Sequence, residues 1–281
     1  MTRRRNNRRK PANLPATIAI LALIILVGLI ARATCDRSRD NSHGPLADSE
    51  LGPLTTVISP PGHDGQTLDY GFFTVDFNPE HHQPNYATWI LTRDMVQNAT
   101  VSRKDNFRPD PDVEESATPA DYRGSGYDRG HIVPAGDMKH DADAMDRTFF
   151  MTNMSPQVGR LNSGSWKKLE DNCRSWAVRD SALVIVAGPI LTDRITRHIG
   201  RTRVSVPSRY FKVILAPYAN PPRAIGFIMN NGDNPGGVQP TAMTVRQVEE
   251  ITGYDFFSAL PDDIENTVET QARYSTWQYS R

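Results

Sequence analysis

The stretch Asp128-Arg129-Gly130-His131 and the downstream pair Asn162 and Glu170 hold the side chains of this 281-residue chain best suited to chemistry. An imidazole with a reference pKa of about 6.5 is largely neutral at pH 7 and can take a proton from an attacking water. A lone histidine more often has a structural role. His131, however, follows Arg129 by two residues in a segment containing Gly124, Gly126 and Gly130, whose backbone freedom suits a loop that approaches a ligand.

Taken singly, Asn162 reads as a helix N-cap and Glu170 as a solvated helical acid. Together they are more informative. On a regular helix an i, i+8 pair is separated by a rise of about 12 Å and by about 80° beyond two full turns. A cation bound directly by Asn162 would then meet Glu170 through bound water. Mg²⁺ suits that arrangement, because it keeps several waters and accepts one or two protein oxygens; Mn²⁺ is the alternative ion. Arg129 offers a planar fork of donors for phosphate. With a metal to neutralise charge on the phosphate and on the departing oxygen, these parts match phosphodiester hydrolysis.

The elements that must position them can be read from periodicity. Leu68–Phe77 and Asn85–Thr92 are β-rich runs separated by Asn78-Pro79 and His81-His82-Gln83-Pro84, which predicts a hairpin with a long turn. Ala182–Ala187, Tyr210–Leu215 and Ala224–Met229 read as later strands. Residues 162–179 have helical spacing, with Trp166, Leu169, Cys173 and Trp176 or Ala177 on one face. Thr244 and Gln247 form a capping box for a helix that Gly253 ends. Strands and helices alternate irregularly, which predicts an α+β fold with a mixed or antiparallel central sheet and flanking helices.

The 32 basic and 32 acidic residues cancel overall but are unevenly placed. Residues 1–39 carry nine basic side chains against one acid, Asp36, which leaves 23 basic and 31 acidic residues for 40–281. So acidic a body cannot coat nucleic acid with its whole surface, although a local basic face is allowed. The seven basic residues between Arg194 and Gly232, unaccompanied by acid, and the seven acids from Glu249 to Glu269, unaccompanied by base, predict a basic face around the metal helix and an acidic back. Lys167, Arg201 and Arg203 are the substrate-binding candidates on that face.

A mean hydropathy of −0.50 excludes a polytopic membrane protein. Residues 1–13 read as a basic cytoplasmic segment and 14–31, an apolar run without charge, as a single-pass signal-anchor that leaves the catalytic domain outside the cytoplasm. The alternative is a cleaved signal, with Ala31-Arg32-Ala33 as the cleavage site and a secreted product. Residues 32–61 read as a flexible tether and 62–281 as one domain. Two cysteines cannot build a disulfide framework, and Cys35 in the tether and Cys173 in a helix read as separate thiols.

Asp128-Arg129-Gly130-His131, the stretch Asn153–Gln157, and Asn162 with Trp166 and Glu170 resemble the DNA/RNA non-specific endonuclease family of the ββα-metal superfamily, which includes mitochondrial endonuclease G and secreted bacterial nucleases. The likeness runs from Asp69 to Leu260 and takes in Val186-Ala-Gly-Pro189, Val206-Pro207 with Tyr210-Phe-Lys212, and Thr252–Phe257. It implies a ββα-metal motif that clasps Mg²⁺ between strand and helix. It further implies His131 as general base, Asn162 as the direct metal ligand and Glu170 as holder of the metal's waters. Arg129 becomes the active-site arginine and Asn153 a residue close to histidine and substrate. A further upstream arginine corresponds first to Arg103, with Arg108 competing. DNA and RNA are the implied substrates, and a homodimer is implied by likeness to endonuclease G. A serine hydrolase would need a Gly-x-Ser-x-Gly elbow that Gly124-Ser125-Gly126 does not supply. The rival reading is a catalytically inactive, membrane-anchored module that binds nucleic acid or protein. The presence of Arg129, His131, Asn162 and Glu170 together argues against it.

Overall fold

The computed structural model describes residues 51–278. The expected basic segment and anchor lie outside the described residues, as does Cys35. Among the described residues no helix is long and apolar enough to cross a membrane.

Folding starts earlier than the tether reading placed it. Leu51 and Leu54, beside and within the 3₁₀ turn Gly52–Thr55, are buried, and β1 (Val57–Ile58) pairs with Asp255–Phe256 near the other end of the chain. Four apolar side chains, Leu51, Leu54, Val57 and Ile58, spaced among Gly, Thr, Ser and Pro are too few to give a periodic signal, so this segment reads as linker although Leu51 and Leu54 pack as core.

The run Leu68–Phe77 is two strands, β2 (Gln66–Asp69) and β3 (Phe73–Asn78), joined by a tight turn in which Gly71 has φ +79°. Only a residue at ease in the left-handed region fits there. The hairpin of β3 with β4 (Gln83–Thr92) is the one predicted. Three short helices follow: α1 (Arg93–Gln97), α2 (Pro119–Tyr122) and, after β5 (Asp128–His131), α3 (Ala142–Arg147). Next come β6 (Met154–Gln157), the long α4 (Lys167–Asp180) and β7 (Ala182–Pro189). A small hairpin, β8 (His198–Ile199) and β9 (Val204–Ser205), precedes β10 (Arg209–Ala216), β11 (Arg223–Asn230) and β12 (Ala242–Met243). The chain closes with α5 (Val245–Thr252), β13 (Asp255–Phe256) and α6 (Asp262–Glu269), α5 opening on the expected Thr244–Gln247 capping box.

The central sheet has the order β12-β11-β10-β7-β4-β3-β2, and every neighbouring pair is antiparallel. Both of its faces are covered. Along β7, Leu183, Ile185 and Ala187 join a core closed by Trp166, Leu169, Cys173, Trp176 and Ala177. Ala182, Val184 and Val186 point the other way, into a core shared with Val245, Val248 and the N-terminal Leu51 and Leu54. Two-sided burial explains why β7 is apolar throughout rather than alternating. Cys173 is a free, buried thiol, and burial pushes its pKa up to about 12.

Candidate active site

β5 and β6 form a separate antiparallel pair that delivers the chain towards α4, with His131 opposite Met154 and Gly130 opposite Ser155. A Cβ at Gly130 would lie 2.3 Å from the side chain of the buried Gln157, which would have to move to admit any larger residue at this crossing. Just beyond His131, Asn153 secures the backbone. Its Oδ1 accepts from Val133 N at 2.9 Å, and its Nδ2 donates to the carbonyls of Val133 at 3.0 Å and Thr148 at 2.9 Å. The amide is thus fully engaged with backbone and does not line the cavity beside His131. Asn153 lies close to the histidine, as expected, and its amide holds the segment that follows it.

His131 is 8% exposed, set edge-on to Phe149 at 5.0 Å and Phe107 at 5.5 Å between ring centroids. The same two phenylalanines carry the arginines. The Arg129 guanidinium lies 4.0 Å from the Phe107 ring centre and that of Arg103 5.1 Å from Phe149. Burial first, and the two guanidiniums next, push the His131 imidazole down to about 3. Its Nε2 is buried and has no hydrogen-bond partner. A neutral ring with an unengaged nitrogen is the state a general base needs before a water arrives.

Asn162 and Glu170 do not lie on one regular helix. Leu161–Trp166 is a kinked turn broken at Gly164, whose φ −107° and ψ −110° are not helical, and α4 begins only at Lys167. The regular-helix rise therefore does not apply to this pair. Both residues line one cavity of about 330 Å³ with Arg103, Arg129, His131 and Lys167. Asn162 donates its amide nitrogen to Asp128 Oδ2 at 3.0 Å, which leaves its carbonyl oxygen as the group available to a cation. Asp128, at the head of the Asp-Arg-Gly-His stretch, is thus a site residue that the sequence reading passed over.

Glu170 sits above a buried charge network. Asp137, 2% exposed, accepts from Arg174 at 2.6 Å and from the Trp89 indole at 3.1 Å. Lys212 is fully buried, its ammonium 4.4 Å from the Trp166 ring centre and 5.2 Å from that of Trp89. Burial pushes the Glu170 carboxyl up to about 7, opposed by Lys212 and aided by Asp137. An amide carbonyl and a carboxylate in one cavity form an all-oxygen donor set, which fits a hard divalent cation.

The upstream arginine in the cavity is Arg103, whose Nε also pairs with Asp105 at 2.6 Å. Arg108 instead binds Asp146 and stacks on Phe150. The predicted basic face is only partly assembled. Arg209 pairs with Asp193, Arg223 pairs with Asp180, and Lys212 is internal. Arg201 and Arg203 are exposed on the β8–β9 turn and line neither the cavity nor the groove beside it; the turn is fastened through Thr202 to Asp121. Arg197, by contrast, stacks on Tyr127 at 5.0 Å, and Tyr127 lines that groove of about 610 Å³, which shares Arg103, Arg129 and Asn162 with the cavity. In the acidic run 105–115, Asp110 turns inward to Tyr70 and Thr152, while Asp105 stays at the groove.

An antiparallel strand pair leading into a helix, with a histidine on the first strand and an asparagine at the helix entry, has the layout of a ββα-metal motif. A family model described as DNA/RNA non-specific endonuclease matches residues 52–263, and the chain belongs to that family. It is 33% identical to nuclease C1 of Cunninghamella echinulata var. echinulata over 216 residues, covering 71% of this chain and 86% of that protein. It is 32% identical to a nuclease of Nostoc sp. over 239 residues, covering 80% of this chain and 84% of that one. A chain in the crystal structure of the EndoG/EndoGI complex superposes with a TM-score of 0.68 at 25% identity, covering 78% of this chain and 95% of that one.

Proposed function

We propose that the protein is a divalent-metal-dependent endonuclease that hydrolyses phosphodiester bonds of DNA and RNA with little sequence specificity, with His131 as its general base. The observation that carries this reading is the buried, unpartnered Nε2 of His131 in a cavity shared with Arg129, Asn162 and Glu170. Burial and two neighbouring guanidiniums keep the imidazole neutral, so its nitrogen can take a proton from a water aimed at phosphorus. Arg103 and Arg129, braced on phenylalanine rings, bind the phosphate oxygens and balance charge as it builds. Asn162 through its carbonyl and Glu170 through bound water would hold Mg²⁺, with Mn²⁺ the alternative. A cation bound there would supply charge neutralisation on the phosphate and on the departing oxygen. Contacts to phosphate carry no base information, which suits cutting without sequence preference. An anchor at residues 14–31 would hold the enzyme on the membrane with the catalytic domain outside the cytoplasm.

The test is the full chain incubated with supercoiled plasmid and with single-stranded RNA, in Mg²⁺ and in EDTA. Cutting of both substrates that EDTA abolishes is expected. Binding of both without cutting under any divalent metal would overturn the enzymatic reading in favour of a binding module.

A further inference from the structure

The acidic stretch near the C-terminus is more than a solvated back. Glu249 on α5, Asp255 on β13 and Glu269 at the end of α6 each bring one carboxylate oxygen within 4.8 Å of the other two. None of the three lines the catalytic cavity. Glu269 is 1% exposed; one of its oxygens, Oε1, is buried and accepts from no N–H or hydroxyl, and its carboxyl lies against that of Glu249. The other, Oε2, accepts from Arg246 Nη2 at 2.7 Å. Glu249 places one oxygen on the Phe256 amide at 3.0 Å and the other 3.7 Å from Arg246 Nε. Asp255 is exposed and closes the group on the solvent side.

With all three ionised, three carboxylates facing one guanidinium would leave two uncompensated negative charges at a place where one carboxylate is almost wholly withdrawn from water. Burial is costly for such a group unless a proton or a cation joins it. In the absence of a cation, burial and then Glu249 push the Glu269 carboxyl up to about 8. A divalent ion supplies the missing charge outright. Oxygens that share one Ca²⁺ at 2.3–2.6 Å can lie no more than about 5 Å apart, a limit this cluster meets. The exposed side at Asp255 leaves room for the waters that complete a six- to eight-fold oxygen shell.

We propose that Glu249, Asp255 and Glu269 form a second divalent-cation site, of the calcium class, that ties α6 to the α5–β13 turn and acts on stability rather than on the reaction. Its reach is wider than one helix. β13 also pairs with β1, so an ion here fastens the segment on which the first strand of the described residues is held.

The test uses the full chain carrying Asn162→Ala, so that the catalytic ligand is removed, titrated with CaCl₂ by isothermal calorimetry and melted with and without Ca²⁺. One Ca²⁺ per chain and a raised Tm are expected. Glu269→Gln in that background should abolish both. Asp255→Asn, at an exposed position, should leave the calcium-free Tm unchanged and weaken binding by about tenfold or more. Absence of Ca²⁺ uptake at millimolar concentration, or undiminished binding in the Asp255→Asn protein, would overturn the proposal and leave a proton shared between Glu249 and Glu269.

Discussion

The Asn162 amide nitrogen donates to the Asp128 carboxylate at 3.0 Å, so the head of the histidine strand sets the orientation of the proposed metal ligand on the neighbouring turn. The strand therefore contributes two things to the site, a base at its end and a brace at its start. Removing a partner that orients a ligand typically costs about 10–100-fold in metal affinity or activity. Asp128→Ala should accordingly raise the Mg²⁺ concentration for half-maximal plasmid cutting by about tenfold, with little change in Tm because Asp128 is exposed. An unchanged Mg²⁺ dependence would mean that Asn162 needs no brace.

His131 and Glu170 should couple stability to pH with opposite signs. The folded-state pKa of His131 is pushed from 6.5 down to about 3, so its contribution is present above about pH 6.5 and is lost as pH falls towards 3. That of Glu170 is pushed from 4.5 up to about 7, so its contribution is present below about pH 4.5 and is lost as pH rises through 7. In EDTA, Glu170→Gln should therefore lose less Tm than the parent between pH 5 and 8, and Mg²⁺ should restore the parent. Parallel melting curves for the two proteins across that range would contradict the assignment of the buried carboxyl.

A chain begun at residue 62 should be markedly less stable than one begun at 45. It lacks Leu51 and Leu54, each worth about 1.5–3 kcal/mol when fully buried, and the pairing of β1 with β13. At about 2–4 °C per kcal/mol for a domain of this size, the drop in Tm should approach 10 °C. Equal melting temperatures would return residues 51–61 to the linker.

This boundary marks where the sequence ceased to be legible. Long periodic elements could be read: the apolar face of α4, the strands β4, β7, β10 and β11, and the cap of α5 all stand where periodicity put them. So could the residues whose chemistry is local, His131, Arg129, Asn162 and Glu170, which one cavity brings together. What could not be read depends on tertiary packing. Asp128 gains its role from a hydrogen bond across 34 residues, Asn153 is engaged by backbone, and Lys212 looks like any other cation of a basic stretch until β10 carries it under Trp166. The kinked turn at 161–166 has no periodicity of its own, so spacing alone did not show that Asn162 and Glu170 stand on different pieces of backbone.

Substrate affinity should follow the groove rather than the β8–β9 turn. Arg197→Glu should raise the KM for DNA by about tenfold and flatten its dependence on salt, because a phosphate that no cation neutralises keeps its counterion when the protein binds. Arg201→Glu combined with Arg203→Glu should change KM less. The reverse order would place the nucleic acid across the turn.

The most direct test of the central claim is the steady-state kinetics of plasmid cleavage by His131→Ala in saturating Mg²⁺, beside the parent. A general base positioned in the transition state contributes about 10²–10⁴-fold. The account predicts a fall in kcat of that order, with KM and Tm close to the parent values. Retention of parental kcat by a folded, metal-dependent His131→Ala protein would contradict it and place the base elsewhere.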